Sequence, residues 1–260
     1  LAFLIRNGMA PSSVKRKMHA FKSYCRWLHL EGLLAGDAYE AIRKLRGPKL
    51  PEKLPDIPTA DDMKRLLDGD FPTPFPTRDR LILELLYGAG LRVNEAAKLT
   101  LQDFRPEQRS ILIHGKGGMY GKAAKERLVP VNPYVQAALD AYLPARQQFM
   151  AAENIYSNAL FIAVRNRYSE KSGRPAISDR TIRRLLEYMC ELRGLPIMWP
   201  HLLRHTCATH MLDNGCPLDV IKEILGHDNL DVTAHYAQVS TRTMLKTYNA
   251  AHPHARIRGG

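Results

Sequence analysis

His201-Leu202-Leu203-Arg204-His205-Thr206-Cys207-Ala208-Thr209-His210, "HLLRHTCATH", puts a guanidinium where a helix should be apolar. Pro200 and Asn214-Gly215 make a good start and stop pair, so the stretch reads as a helix. At about 100° per residue, Cys207, Ala208, Met211 and Leu212 form a continuous apolar arc. Arg204 and His201 project inside that arc, and His205 sits at its edge. A guanidinium aimed at a core is costly unless something anionic pairs with it. The helix therefore asks for an anion.

Charge balance says that the anion is large. The 260 residues carry 38 Lys+Arg against 26 Asp+Glu, a net +12, which favours a polyanion such as nucleic acid or an anionic membrane surface. No stretch approaches the ~18 uncharged apolar residues of a membrane span. The best, "LILELLYGAGL" (81–91), is interrupted by Glu84, Gly88 and Gly90. The opening "LAFLIRNGMA" lacks the build of a secretion signal and an initiator Met, and reads as the start of a trimmed chain. Cys25, Cys190, Cys207 and Cys216 form no C-x-x-C pair, which predicts free thiols in the cytoplasm and neither zinc nor disulfides.

Four prolines in "GPKLPEKLPDIP" (47–58) rule out a continuous helix and mark a linker. It separates a small helical domain, 1–50, from a larger one, 58–260. In the first, Val14, Met18, Phe21, Tyr24, Cys25 and Leu28 recur at helical spacing, interleaved with Lys15, Arg16, Lys17, Lys22 and Arg26. That pattern suits either a phosphate-tracking face or an ordinary solvated one. At this length the domain is thin, as if a helix or two were missing upstream.

The larger domain reads as mainly α with a small antiparallel sheet. Thr59-Ala60-Asp61-Asp62 has the form of a capping box. Helices follow over 78–87 and 93–99, broken at Gly88-Ala89-Gly90. "SILIHGKGG" (110–118) and "KERLVPVN" (125–132) alternate around a long glycine-rich tip, a hairpin signal. Asn132-Pro133 and Ser178-Asp179 start further helices, the second running to Gly194. After the Arg204 helix come 217–225, ending at Gly226, then 230–237 and 241–250.

Other basic or nucleophilic residues sit in unusual settings. Arg92 begins a helix after "YGAGL", where free N–H groups favour an anion. Lys116 lies in Gly115-Lys116-Gly117-Gly118, His227 follows Gly226 in "LGHDN", and Tyr236 stands nine positions later in "AHYAQ". Singly, each has an ordinary structural explanation as a cap, a turn or a core tyrosine. In this order, however, GLRVNE, GKG before a strand, HLLRH, LGH and a tyrosine resemble the tyrosine recombinase (phage-integrase-like) family, over almost the whole chain. "PKLPEKLP" and "YAQV…YNAAHPHA" are most similar to its bacterial Xer subgroup.

The resemblance implies a DNA breaking–rejoining enzyme with six catalytic residues: Arg92, Lys116, His201, Arg204, His227 and Tyr236. Tyr236 would be the nucleophile, forming a 3′-phosphotyrosine. Arg92 and Arg204 would grip non-bridging phosphate oxygens, with His201 and His227 as further donors, and Lys116 would protonate the leaving 5′-oxygen. Glu95 would orient one of these groups, or be a helix-surface carboxylate. No metal or other cofactor is implied. The partners would be double-stranded recombination sites, bound by a homo- or hetero-tetramer whose final helix packs on the neighbouring protomer. The hairpin "GKGGMYGKAAKER" is longer than the family's GKGxKxR, so Lys122 and Lys125 rival Lys116 as the acid.

Other readings are a transposon or integron integrase, a nicking-closing topoisomerase, and a catalytically silent DNA-binding regulator. A metal-dependent hydrolase using His201 and His205 lacks a carboxylate within the helix turn, where Arg204 would repel a cation.

Overall fold

Residues 6–48, 56–115, 126–163, 176–226 and 247–253 are described by the structure, a computed structural model. The chain divides into two units between Pro55 and Asp56.

In the first unit, α1 (Pro11–Leu30) starts on a proline, which forfeits no intrahelical bond there, and buries Val14, Met18 and Cys25. It packs on α2 (Gly36–Lys44). Lys22 ties the two by donating Nζ to the Arg43 and Leu45 carbonyls at 2.7 and 2.6 Å, which closes the C-terminal end of α2. Phe21 and Tyr24, on the apolar stripe of the sequence, remain exposed, and Tyr24 stacks on Trp27.

The second unit is mainly helical with one small sheet. Helix α3 (Ala60–Leu67) opens on the expected capping box: Thr59 Oγ1 accepts from the Asp62 N–H at 3.1 Å, and Asp62 accepts from the Thr59 N–H at 3.0 Å. Helix α4 (Pro76–Gly88) begins two residues earlier than the sequence suggests, because Pro76 is a first-turn residue and not part of the loop. From Leu81 to Gly88 every residue is buried, Glu84 included, and the helix forms the centre of the domain. Leu81, Ile82, Leu83, Leu85 and Leu86 are fully buried, each stabilising the fold by about 1.5–3 kcal/mol. Around it pack α5 (Val93–Lys98), α6 (Pro133–Ala152), α7 (Asp179–Leu192) and α8 (Pro200–Asp213). Helix α9 (Leu218–Leu225) lies against α8 and the sheet.

The hairpin is β2 (Ser110–Ile113) with β3 (Arg127–Pro130), antiparallel, and Ile113 pairs with Arg127 at the end nearest the connecting segment. A two-residue β1 (Phe104–Arg105) on the other side of β2 went unseen in the sequence, since two residues carry no periodicity. All four cysteines are free and buried. No helix among the described residues is long and apolar enough to cross a membrane.

Of the tail, residues 247–251 are helical. Tyr248 is fully buried in its own domain, where its hydroxyl accepts from Asn132 Nδ2 at 3.0 Å and its ring lies against His252. The expected docking of this helix on a neighbouring protomer concerns an assembly, and the burial of Tyr248 is a property of the single chain. The expected helix at 230–237 lies outside the described residues.

Gly90 ends α4's overhang with φ +62°, a left-handed turn. A Cβ there would lie 2.5 Å from Leu225 Cδ2 and 3.2 Å from Cys207 Sγ, both buried. Backbone strain and crowding act together, so Gly90→Ala should cost about 1–3 kcal/mol in urea unfolding. Combining it with Leu225→Ala should cost less than the two singles added, because the space is shared. Unaltered stability in Gly90→Ala would show that α9 does not press on this turn.

Candidate active site

Helix α8 carries Arg204 into the interior, where it is 3% exposed. Nη1 donates to the Gly90 carbonyl at 2.7 Å, and Nη2 donates to the Leu225 carbonyl. Both acceptors are neutral. Among the described residues, no carboxylate pairs directly with this guanidinium.

The buried arc of α8 is rotated from the one its apolar residues suggest. Leu202, Leu203, Thr206, Cys207, His210 and Met211 face inward, while His201, His205 and Leu212 share an exposed strip. Counting Leu212 as a core residue pulled the expected arc toward His201; half of Leu212 stands in solvent. His201 therefore sits on an open face one turn before the buried Arg204. His210, at the opposite side, bonds Tyr87 Oη at 3.0 Å and belongs to the core.

Arg92 caps α5 and Glu95 lies one turn on. The Glu95 carboxylate accepts from the Arg92 backbone N–H and from Arg92 Nη1, each at 2.8 Å. The first turn of α5, expected to offer an N–H to an outside anion, thus already holds one. Arg92 Nη2 reaches the Gly226 carbonyl at 3.0 Å. A third arginine, Arg127 at the start of β3, donates Nη1 and Nη2 to the two Glu95 oxygens at 3.0 and 2.8 Å. Its Nε donates to the Ile224 carbonyl at 2.9 Å.

The three arginines converge on one feature. The last carbonyls of a helix have no partner within it and carry the negative end of its dipole. At the end of α9, the carbonyls of Ile224, Leu225 and Gly226 are taken in turn by Arg127, Arg204 and Arg92. Gly226 turns left-handed there, φ +65°, and a Cβ on it would lie 2.8 Å from Arg127 Cδ. Three guanidiniums face one carboxylate, so the cluster holds a surplus of positive charge. Burial first, then repulsion from Arg92, lowers Arg204 to about 10, with Arg127 adding to the repulsion and Glu95 opposing it. Among the described residues the cluster thus joins three guanidiniums to one carboxylate and three consecutive carbonyls.

Arg92, Arg204 and Glu95 are thus brought together, and His201 lies on the adjoining helix face. Lys116, His227 and Tyr236, with Lys122 and Lys125, lie outside the described residues. Sequence reading gave Arg127 no role. A signal was present: in "RLVPV", Arg127 is in phase with Val129 and Val131, both buried, so it sits on the strand's inner face.

Residues 58–243 match the phage integrase family. That span exceeds half of the chain and contains the whole arginine cluster. The chain belongs to the phage integrase family. It is a tyrosine recombinase, and within the family it is Xer-like. It is 36% identical to tyrosine recombinase XerC of Myxococcus xanthus over 250 residues, covering 95% of this chain and 78% of the relative. The fold is similar to that of XerA recombinase, with a TM-score of 0.54 at 23% identity, covering 95% of this chain and 87% of that one. It is also similar to XerH site-specific recombinase bound to difH substrate, TM-score 0.58 at 19% identity, covering 95% and 64%.

In this tyrosine recombinase the Glu95 carboxyl is held far down. Burial alone would raise it, but the hydrogen bonds and charge of Arg127, with those of Arg92, outweigh burial and set it at about 2. A depressed carboxyl stabilises the fold above its unfolded value near 4.5, and that contribution is lost as pH falls through 2. Glu95→Gln should therefore be less stable than the parent by about 3 kcal/mol at pH 7. In urea unfolding the gap should shrink below pH 4.5 and nearly vanish at pH 2. A gap that stays constant with pH would mean that Glu95 acts by packing and not by charge.

Proposed function

We propose that this recombinase cuts and rejoins specific DNA sites through a 3′-phosphotyrosine, with the arginine cluster as the seat of the scissile phosphate. The surplus positive charge, held in place by neutral carbonyls, is the observation that carries this reading. Arg204 spends two of its five N–H groups on carbonyls and Arg92 has one amino group on Glu95 and one on Gly226. Donors remain for non-bridging oxygens, and planar guanidiniums suit a phosphate.

Tyr236 attacks the phosphorus. Its phenolic proton passes to His201 or His227 as the phosphotyrosyl bond forms and the bond to the 5′-oxygen breaks, and Lys116 gives that oxygen its proton. Arg92 and Arg204 take up the charge on the non-bridging oxygens in the transition state, where preorganised donors have most effect. His201, exposed beside Arg204, and His227 supply further donors. Rejoining reverses these steps with a 5′-hydroxyl from another strand, so neither ATP nor a metal enters the balance. Exchange between two sites needs four cleavages, hence four protomers, identical or of two kinds, passing through a Holliday junction. The basic helices of the first unit would bind the DNA beside the cut. The Xer likeness favours site-specific resolution over element integration, for which the chemistry would be the same.

Tyr236→Phe removes one oxygen, so duplex binding should persist while covalent capture on a nicked suicide duplex disappears from denaturing gels. An adduct formed by Tyr236→Phe would reassign the nucleophile.

The acid is tested by changing the leaving group. A 5′-bridging sulfur departs as a thiolate with little need of a proton, so it should restore cleavage to Lys116→Ala by at least about 100-fold and leave Arg204→Ala impaired. Restoration of Lys122→Ala or Lys125→Ala instead would move the role along the hairpin.

A further inference from the structure

We infer that Arg127 is a positioning residue for cleavage: it fixes Glu95, and through Glu95 the phosphate-gripping Arg92, against the end of α9. The inference rests on the phosphate reading above.

Arg127, like Arg92, touches both Glu95 and the end of α9, but its side chain alone among the described residues holds both carboxylate oxygens. Its two amino groups hold the Glu95 carboxylate from one side while Arg92 holds it from the other, and its Nε holds the Ile224 carbonyl. Both side chains of the Arg127–Glu95 pair are 10% exposed, whereas Arg92 is 41% exposed. The buried pair is thus a frame, and Arg92 is the member that solvent, or a ligand, can reach. Without Arg127, Glu95 would keep one oxygen on the Arg92 backbone N–H, but the oxygen that aims the Arg92 side chain would have that side chain as its one partner among the described residues. Bound bidentately to Arg127, the carboxylate has one orientation, and Arg92 is aimed by it. The planar fork matters here, since an ammonium cannot hold two carboxylate oxygens and a carbonyl from three fixed directions. Gly226 leaves room for this, because a Cβ would lie 2.8 Å from Arg127 Cδ and 3.1 Å from Nε.

Two other buried arginines show the difference between this and ordinary loop-tying. Arg146 spends its donors on the Ser157, Ala159 and Leu160 carbonyls, and Arg78 on Asp79 and the Ile162 carbonyl. Neither shares a carboxylate with a second arginine. Arg127 does, and the second arginine is the exposed one.

The test is a double-mutant cycle on single-turnover cleavage of a nicked suicide duplex, with Arg127→Met, Arg92→Ala and the double variant in the full chain. Arg127→Met should slow cleavage at saturating protein by about 100-fold, and Arg127→Lys by about tenfold. If Arg127 works through Arg92, the double variant should cleave within about twofold of Arg92→Ala alone. A merely structural arginine would multiply the two defects, and that result, or parental cleavage by Arg127→Met, overturns the inference. Should Arg127→Met fail to fold, the cycle is run with Arg127→Lys, which keeps the charge and stem. A second readout is the acid limb of the cleavage rate: freeing Glu95 from Arg127 should move it to higher pH, whereas an unmoved limb speaks against the role. If the parent forms no adduct while Arg127 variants behave as the parent in stability, the phosphate reading itself has failed. An adduct-forming parent with multiplying defects leaves that reading intact and removes only Arg127.

Discussion

The C-terminal end of α9 is where the catalytic unit is tied together. A helix end leaves carbonyls unsatisfied, and a buried guanidinium leaves N–H groups unsatisfied; each defect repairs the other. Arg127 comes from the sheet, Arg204 from α8 and Arg92 from the turn before α5, and all three end on consecutive carbonyls. Elements far apart in the chain thereby share one anchor. The left-handed Gly226 terminates the helix at the residue where Arg127 passes, and the left-handed Gly90 lets the turn after α4 approach Leu225. Without either, α9 would stand off from the arginines.

Arg204 is held by carbonyls and, among the described residues, by no carboxylate, whereas Arg92 and Arg127 share Glu95. Arg78 shows the alternative: paired with Asp79 at 2.6 Å, it is neutralised in the interior. Had Arg204 an aspartate in place of Leu225 and Gly90 carbonyls, it would be more comfortable and would have no charge left for a phosphate. Dipoles hold direction while leaving net charge in place. The cost is visible in Arg204, whose affinity for its proton is reduced by burial and by Arg92. The large apolar core around α4 offsets that cost.

Much of this could be read in the chain beforehand, for local reasons. The capping box at Thr59, the helix stop at Gly226 and the inward Arg204 are each written within a few residues. The family resemblance rested on ordered motifs and needed no geometry. Other features were beyond local reading. Arg127's partners lie 32 and 97 residues away, and nothing adjacent to it names them. The orientation of α8 was misjudged by one exposed leucine, since apolar character fixes a helix face only statistically. Strand β1 is held by β2 and by turns at each end, not by a pattern of its own.

Two anchors, at Gly226 and at Tyr248, lie on either side of residues 227–246 in the sequence. Before this segment, the Gly226 carbonyl is held by Arg92; after it, Tyr248 is enclosed in the same domain with its hydroxyl on Asn132. The two fastenings differ in kind. The first is made by the arginines that would grip the phosphate, so releasing it would dismantle the site. The second uses a tyrosine in a pocket built by Tyr87, Asn132 and His252, remote in role from phosphate binding. The two anchors therefore hold the second unit by different physics: a carbonyl gripped by a charged guanidinium at Gly226, and a buried ring with one neutral hydrogen bond at Tyr248.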